Sequence, residues 1–302
     1  MNTPAPSAKK LHPRNRHHGL YDFESLQKAV PELTPYVHPN PNGVSTIDFK
    51  QPKAVYLLNQ ALLKTHYRLV YWEMPASNLC PPIPGRADYV HYLADLLAES
   101  NNAEIPTGPS TKILDIGTGA NLIYPIIGHA EYGWQFVASE VNPDSIETAK
   151  PLIQHNPHLR ANVKLRWQRN KRQVLKNIIE EKEYYHAVMC NPPFYKSMEE
   201  ARGKNQLKWK KLGQTGETIV GRNFSGQANE LWTEGGELTF VTNYCYESKH
   251  FAKQVGWFTT LISNKAHVAP LQKILTKLGV AEVQIIPMEQ GQKSSRIVAW
   301  RY

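Results

Sequence analysis

A short apolar segment, residues 112–116, runs directly into two glycines separated by one residue, Gly117 and Gly119. Glycine has no Cβ, so the backbone can turn sharply here and approach a bound molecule closely. A strand that ends in such a turn is typical of open α/β sheets, in which ligands bind at the carboxyl ends of the strands. The junction therefore predicts an α/β fold with a ligand site at this turn.

The rest of the chain alternates between helix-like and strand-like patterns. Apolar residues at helical spacing begin near Asp22, Pro52 and Arg86. Strands that alternate with helices predict a doubly wound, mostly parallel sheet of seven or eight strands, and the short late connections predict an antiparallel hairpin at one edge. Besides the strand at 112–116, the predicted strands are residues 134–139, 162–167, 185–190, 236–242, 257–262, 281–287 and 296–300.

Three regions follow from this pattern. Residues 1–20 are rich in Pro, His, Lys and Arg and predict a flexible basic arm, which is either a disordered tail or a segment that contacts RNA. Residues 21–110 predict a helical N-terminal extension that ends in a linker with two prolines and a glycine. Residues 111–302 then form the sheet domain.

The composition limits the class of protein. With 302 residues and a formal net charge of +9, the chain favours a polyanionic partner. Its three cysteines contain no C-x-x-C pair, so neither a disulfide framework nor a thiolate zinc site is predicted. His12, His17 and His18 lie among arginines without acidic or cysteine partners, so we expect no metal. No secretory signal and no membrane-length apolar run is present, and we expect a cytoplasmic protein.

The residues around the glycine turn indicate which cofactor binds there. Asp115 lies at the end of the first strand, and Glu140 ends the second strand, where a carboxylate can accept both ribose hydroxyls of a nucleotide. A dinucleotide-binding loop would have a third glycine at the position of Leu122. Its absence favours S-adenosylmethionine over a nicotinamide cofactor, although a glycine pair alone also occurs in ordinary tight turns.

A second motif, Asn191-Pro192-Pro193-Phe194, follows the predicted strand 185–190. The nitrogen of an adenine amino group is a poor nucleophile because its lone pair is delocalised into the ring. The Asn191 side-chain oxygen and the Pro192 carbonyl can each accept one of its hydrogen bonds, while the prolines restrict the backbone. Phe194 offers a ring on which a base can stack. The motif predicts methyl transfer to an amino or amide nitrogen; the alternative is a proline-rich turn.

Basic segments flank this motif on both sides. Residues 160–176 contain seven Lys or Arg and no acid, and residues 196–222 contain seven against three acids. Positive charge on two sides of a site favours a phosphate backbone as partner. The nucleic-acid-binding residues predicted from these segments and from the arm are Arg14, Arg16, Arg169, Lys171, Arg172, Lys204, Lys208 and Lys210.

On these residues the chain resembles the bacterial 23S ribosomal RNA adenine-N6 methyltransferase F family, which is related to a eukaryotic methyltransferase-like RNA adenine methylase. The resemblance covers nearly the whole chain, and its most specific blocks are near the amino terminus and around Arg86. The segments that carry it are 12–16 (HPRNR), 84–89 (PGRADY), 114–120 (LDIGTGA), 123–125 (IYP), 140–141 (EV), 190–194 (CNPPF), 235–237 (GGE) and Trp300.

The resemblance implies a Rossmann-like, class I S-adenosylmethionine-dependent methyltransferase fold with an N-terminal helical extension. It implies that Arg86 reaches the cofactor carboxylate from that extension, that Asn121 lies near the cofactor, and that residues 168–171 form a loop beside it. The implied substrate is one adenine of 23S rRNA, either free or in a large-subunit assembly intermediate. We expect a monomer that binds no membrane.

Other functions are compatible with parts of the pattern. Protein glutamine methyltransferases share an Asn-Pro-Pro-aromatic motif, but a peptide substrate would not require two basic flanks. A catalytically idle rRNA-binding assembly factor would have no reason to keep the motif, the glycine turn and Glu140 together. A DNA substrate is also a polyanion, so charge alone does not distinguish it from RNA.

Overall fold

A computed structural model describes residues 11–75, 80–193, 235–290 and 293–302 of the protein. A small antiparallel pair, β1 (Val37–Pro39) and β2 (Ser45–Ile47), lies apart from the main sheet. In the described ranges the main sheet contains seven strands: β3 (Lys112–Ile116), β4 (Gln135–Glu140), β5 (Val163–Trp167), β6 (Tyr185–Cys190), β7 (Val255–Ile262), β8 (Glu282–Gln290) and β9 (Lys293–Arg301).

The order of the main sheet is β5-β4-β3-β6-β7-β9-β8. The strands from β5 to β7 pair in parallel, whereas β9 pairs antiparallel with both β7 and β8. The prediction of a mostly parallel sheet with an antiparallel hairpin at one edge is confirmed. Strands β3 and β6 are neighbours at the centre, so their carboxyl ends, which carry the two motifs, lie side by side.

Helices cover both faces of this sheet. They are α1 (Phe23–Ala29), α2 (Pro52–Tyr67), α3 (Ile83–Glu99), α4 (Ile123–Tyr132), α5 (Pro143–His155), α6 (Pro157–Asn162), α7 (Gly236–Ser248) and α8 (Val268–Leu278).

The central strands are apolar on both sides because each face is buried. Successive residues of a strand point to opposite faces. Accordingly, Ile113 and Ala187 belong to one core, shared with α1–α5, while Leu114 and Val188 belong to the other, shared with α7 and α8. The helical extension is thus part of the first core. The domain boundaries near residues 20 and 110 stay a prediction.

The predicted strand at residues 236–242 is wrong: this segment is the first half of α7. The stretch is rich in β-branched and aromatic residues, which favoured a strand. Over the whole helix to Ser248, the buried residues include Val241, Tyr244, Cys245 and Ser248, which recur at the i, i+3, i+4, i+7 spacing of one helix face.

The flexible arm predicted for residues 1–20 is wrong for residues 11–20. His12, Asn15 and His17 are buried against the extension. The His12 backbone N–H donates to Asp88 Oδ1 at 3.0 Å, and the Asn15 side-chain amide donates to the same oxygen. His17 Nε2 lies 2.7 Å from the Tyr67 hydroxyl. Hydrogen bonds between buried polar groups of this segment and of the helical extension therefore order residues whose composition predicted disorder.

We expect Asp88→Ala to release this segment. The carboxylate is 1% exposed, and its loss leaves the His12 N–H and the Asn15 amide without this acceptor. The free energy of unfolding should fall by about 1–3 kcal/mol, and trypsin should cleave faster after Arg14 and Arg16. Urea unfolding and timed proteolysis measure both.

The control for this experiment is Glu24→Ala, which removes an ion pair on the surface of α1 in which the carboxylate is 80% exposed. That variant should change stability by less than about 0.5 kcal/mol. Equal stability and equal cleavage in the two variants would contradict the role of Asp88.

Candidate active site

The glycine turn connects β3 to α4 and lies against the end of β4. Gly117 and Gly119 have φ values of +70° and +65°, which favour glycine strongly. The Gly117 and Thr118 N–H groups donate to the Ser139 carbonyl at 2.9 and 3.0 Å. Half-buried Asn121 accepts from the Ile123 N–H at 3.0 Å and so closes the start of α4. The turn is therefore tied to the neighbouring strand at the carboxyl edge of the sheet.

Glu140 holds this edge together from the end of β4. Its carboxylate is 5% exposed and accepts three backbone N–H groups: Gly119 at 2.9 Å, Val141 at 2.8 Å and Asn142 at 2.9 Å. Burial raises the pKa of Glu140, and the three N–H groups oppose that shift. A carboxylate oxygen can accept two hydrogen bonds and Oε2 accepts only that of Gly119, so the group keeps capacity for a hydroxyl donor from a ligand.

Asp115, at the penultimate position of β3, is fully buried. No donor of the described residues is in hydrogen-bonding geometry with either of its carboxylate oxygens. Burial raises the pKa of Asp115 to about 7; the nearby Thr118 hydroxyl and the Arg86 guanidinium oppose this shift, whereas the negative charge of Glu140 adds to it. A buried carboxyl group without partners is costly, and it indicates a place where a bound molecule supplies donors or positive charge.

Arg86, Tyr124 and Asn191 meet beside this carboxyl group, although they come from α3, α4 and the end of β6. Arg86 donates to the Tyr124 hydroxyl at 2.8 Å, and its guanidinium lies 5.5 Å from the centre of the Tyr124 ring. With its amide oxygen toward Arg86, Asn191 accepts from the two terminal guanidinium nitrogens at 3.0 and 3.2 Å. The extension therefore reaches the asparagine of the second motif directly.

The remaining motif residues are placed in part. Pro192 is buried and Pro193 half-buried at the same sheet edge. Phe194 lies outside the described residues, as do Lys204, Lys208 and Lys210. Arg169, Lys171 and Arg172 are exposed on the loop that follows β5, and the Arg169 guanidinium lies 5.0 Å from the centre of the exposed Trp167 ring.

The loop that carries these three basic residues has a defined conformation. It begins where the Gln168 N–H donates to the Glu140 carbonyl at 2.8 Å, beside the glycine turn. The buried Gln168 side chain donates to the Lys176 carbonyl at 2.8 Å. Glu247 on α7 accepts the N–H groups of Val174, Leu175 and Lys176 at 2.8–3.1 Å. The exposed cations of this loop are therefore held near the carboxyl edge of the sheet.

The two arginines of the arm are used within the chain. Arg14 forms an ion pair with Asp95 at 2.6 Å and donates to the Tyr132 hydroxyl at 3.0 Å. Arg16 forms an ion pair with Glu131 at 2.6 Å. These contacts dock the arm against α3 and α4, and nucleic-acid binding by the two arginines stays a prediction.

Two residues of this edge were not identified from the sequence. Tyr124 lies in one of the motif segments, but its contact with Arg86 depends on the packing of α3 against α4. Glu247 carries no motif signal, because the N–H groups that donate to its carboxylate belong to a loop 71–73 residues earlier in the chain. Only the tertiary fold reveals such partners.

We expect Glu140→Gln to weaken the turn. An amide has one acceptor oxygen and one donor nitrogen, so at least one of the three N–H groups would face another donor. The free energy of unfolding, measured in urea, should fall by about 1–3 kcal/mol. Glu147→Gln, on α5 with a side chain 68% exposed, is the matched control and should be near neutral. Equal stability of the two variants would refute this role of Glu140.

Comparison with known proteins agrees with this geometry. A model of the family described as RNA methyltransferase matches residues 5–302. The ribosomal RNA large subunit methyltransferase F of Pseudomonas savastanoi pv. phaseolicola is 50% identical and aligns over 99% of this chain and 92% of that protein. The protein of the same name from Pseudoalteromonas translucida is 47% identical over 98% and 94%.

Solved structures give the same result. The human METTL16 catalytic domain in complex with a MAT2A 3′UTR hairpin has a TM-score of 0.79 and 31% identity, covering 97% of this chain and 96% of that one. The N-terminal domain of human METTL16 in complex with SAH has a TM-score of 0.74 and 28% identity over 96% and 98%. The chain therefore belongs to the RNA methyltransferase family and is an S-adenosylmethionine-dependent enzyme.

Proposed function

We propose that this protein transfers the methyl group of S-adenosylmethionine to the N6 amino group of one adenine in 23S rRNA. The observation that carries the proposal is the position of Asn191, which directly follows β6 beside the glycine turn of β3 and is contacted by Arg86. The two motifs thus share one edge of the sheet. The relatives named as ribosomal RNA large subunit methyltransferases support the choice of rRNA.

The chemistry assigned to the second motif is positioning of a weak nucleophile. The Asn191 amide oxygen and the Pro192 carbonyl each accept one N–H of the adenine amino group, which draws the nitrogen toward tetrahedral geometry. Its lone pair is then free to attack the methyl carbon that S-adenosylmethionine supplies: the N–C bond forms as the S–C bond breaks, S-adenosylhomocysteine leaves, and one amine proton passes to solvent. Holding two reactants in line lowers the barrier by saving their orientational entropy, and no covalent intermediate is needed. Phe194 is assigned the stacking of the base.

The residues around the turn suit this cofactor. Asp115 offers a buried carboxyl group whose oxygens have no donor among the described residues, which matches the positive sulfonium and ammonium groups of S-adenosylmethionine. Glu140 is assigned the ribose hydroxyls, and Arg86 the cofactor carboxylate. Gly117 and Gly119 permit close approach, and Asn121 completes the turn. In the described residues no group of three or more His, Cys, Asp or Glu is arranged to hold a metal ion.

The RNA is assigned to the exposed cations beside this edge. Arg169, Lys171 and Arg172 are solvent-exposed on the loop after β5, whose first residue, Gln168, is bound to the Glu140 carbonyl, so phosphates can reach them near the assigned cofactor site. Lys204, Lys208 and Lys210 are assigned the same role. A target base must leave any helical stack to enter such a site, which favours a looped or single-stranded adenine.

We assign the protein to the cytoplasm, as a monomer that acts on 23S rRNA or on a large-subunit assembly intermediate. No helix in the described part of the chain combines the length and apolar character required to cross a bilayer. The glutamine methyltransferase and the idle assembly factor are the alternatives that the first experiment distinguishes.

That experiment incubates the purified protein with labelled S-adenosylmethionine and with rRNA from cells that lack the gene, followed by nucleoside mass spectrometry. N6-methyladenosine in the large-subunit rRNA supports the proposal. Label in a protein fraction without a methylated nucleoside would favour the glutamine reaction. No label in rRNA, in assembly intermediates or in protein would favour the idle factor.

Asn191→Ala should lower kcat by about 100-fold or more, a loss of the size seen when one oriented polar group of an active site is removed. The dissociation constant for S-adenosylmethionine, measured by calorimetry, should change by less than about twofold, because Asn191 is assigned to the base. Asn42→Ala, at an exposed turn far from this edge, is the control and should be fully active. A parallel loss of catalysis and cofactor binding in the first variant would contradict the assignment.

Affinity for the cofactor should rise with pH around neutrality. Because the pKa of Asp115 is raised to about 7, the carboxyl group is mostly neutral at pH 6 and mostly ionised at pH 8. Only the ionised form attracts a cationic ligand, so the dissociation constant should fall by about tenfold across this interval. Asp115→Asn should bind more weakly and should lose this part of the pH dependence. Superimposable pH profiles of the two proteins would refute the role of Asp115.

A further inference from the structure

Tyr89 lies on α3, one turn after Arg86, and its side chain is fully buried against the end of β6. Its hydroxyl oxygen lies 3.2 Å from the backbone nitrogen of Cys190 and 2.8 Å from the hydroxyl oxygen of Thr259 on β7. The Cys190 carbonyl is more distant, at 3.4 Å. A single hydroxyl of the helical extension thus contacts two central strands of the sheet.

The direction of these hydrogen bonds follows from counting protons. The Thr259 hydroxyl donates its only proton to the Val188 carbonyl at 2.8 Å. It must therefore accept the proton of Tyr89, and the Tyr89 oxygen in turn accepts from the Cys190 N–H. The result is a directed chain that leaves β6 at the Cys190 N–H and returns to the same strand at the Val188 carbonyl. Bonds in such a chain polarise and strengthen one another.

These hydrogen bonds lie where β7 no longer pairs with β6. The last register pair between β6 and β7 joins Val188 to Phe258, although β6 continues to Cys190. On its other side, β6 pairs with β3 as far as Cys190 and Ile116. A buried backbone N–H requires an acceptor, and at Cys190 the acceptor is Tyr89. The residue that follows directly is Asn191.

We propose that Tyr89 is a positioning residue for methyl transfer: its hydroxyl fixes the peptide N–H of Cys190 and so sets the direction in which the Asn191 and Pro192 acceptors leave the sheet. This inference rests on the proposed function, since it concerns the orientation of the groups that bind the adenine amine. Tyr89 itself does not touch the substrate. Burial raises the pKa of the Tyr89 hydroxyl well above its ordinary value, so the proton needed for the chain stays in place at neutral pH.

The test compares Tyr89→Phe with Tyr244→Phe in the full-length protein. Both tyrosines are fully buried. Tyr244 lies on α7, and its hydroxyl donates to the backbone carbonyl of Thr259 at 3.5 Å. Each substitution removes one hydroxyl and leaves the ring. In methylation assays with rRNA, Tyr89→Phe should lower kcat by about tenfold or more, because small errors in alignment slow catalysis strongly. Its KM for rRNA and its dissociation constant for S-adenosylmethionine should stay within about twofold of wild type, and Tyr244→Phe should keep wild-type kcat.

A second pair of variants tests the same chain of hydrogen bonds at Thr259, its member on β7. Thr259→Val removes the hydroxyl that accepts from Tyr89, whereas Thr259→Ser keeps it. We expect the valine variant to lose kcat as Tyr89→Phe does and the serine variant to retain it. The double variant Tyr89→Phe/Thr259→Val should be little worse than either single variant, since all of them interrupt one chain. The two Thr259 variants also test the positioning role of the Tyr89 hydroxyl if Tyr89→Phe does not fold.

The inference is overturned if Tyr89→Phe is as active as Tyr244→Phe, or if its loss of kcat is matched by an equal loss of cofactor affinity, which would indicate general disruption of the site. Equal kcat values for the valine and serine variants of Thr259 would overturn it as well. A wild-type protein that forms no N6-methyladenosine would refute the proposed function, and this inference with it. An active wild type with an unimpaired Tyr89→Phe refutes the inference alone.

Discussion

The buried carboxylate of Glu140 is the interaction on which the candidate site depends. It accepts N–H groups from the turn after β3 and from the first residues beyond β4, and so joins two loops that would otherwise be independent. The first residue of the loop after β5, Gln168, donates its N–H to the Glu140 carbonyl as well. Three connections at the carboxyl edge of the sheet therefore share one anchor. A parallel sheet brings strand ends together, and here one residue fixes their loops, two through its carboxylate and the third through its backbone carbonyl.

The helical extension is a second determinant, because α3 supplies contacts that the sheet domain lacks. Arg86 reaches Asn191, and Tyr89 reaches the backbone of the preceding residue. One helix thus touches the end of β6 from two adjacent turns, through a guanidinium group and a hydroxyl. The segment at residues 11–20 then packs on the outer side of α3. Folding of the extension and shaping of the site are consequently one process.

Features that depend on neighbouring residues could be predicted from the sequence, whereas those that depend on packing could not. The turn at Gly117 and the acidic residue that ends β4 follow from local pattern, and both occupy the expected places. Residues 236–242 have strand propensity, but burial of one face over the longer segment makes them helical. Composition predicted disorder around Asn15, whereas its side chain is held by the Asp88 carboxylate and the Pro84 carbonyl of α3. The contact of Arg86 with Asn191 joins distant parts of the chain and has no local signature.

The ion pairs of the arm have a consequence for how a polyanion approaches the protein. Arg14 and Arg16 contribute to the net charge of +9, yet each lies against an acid of α3 or α4, so their fields largely cancel at a distance. Arg166 is likewise paired, with Glu183. Arg169, Lys171 and Arg172 instead face solvent. Unlike the paired arginines of the arm, these three cations are available to a polyanion on the loop side of the sheet, which is where the proposed function places the RNA.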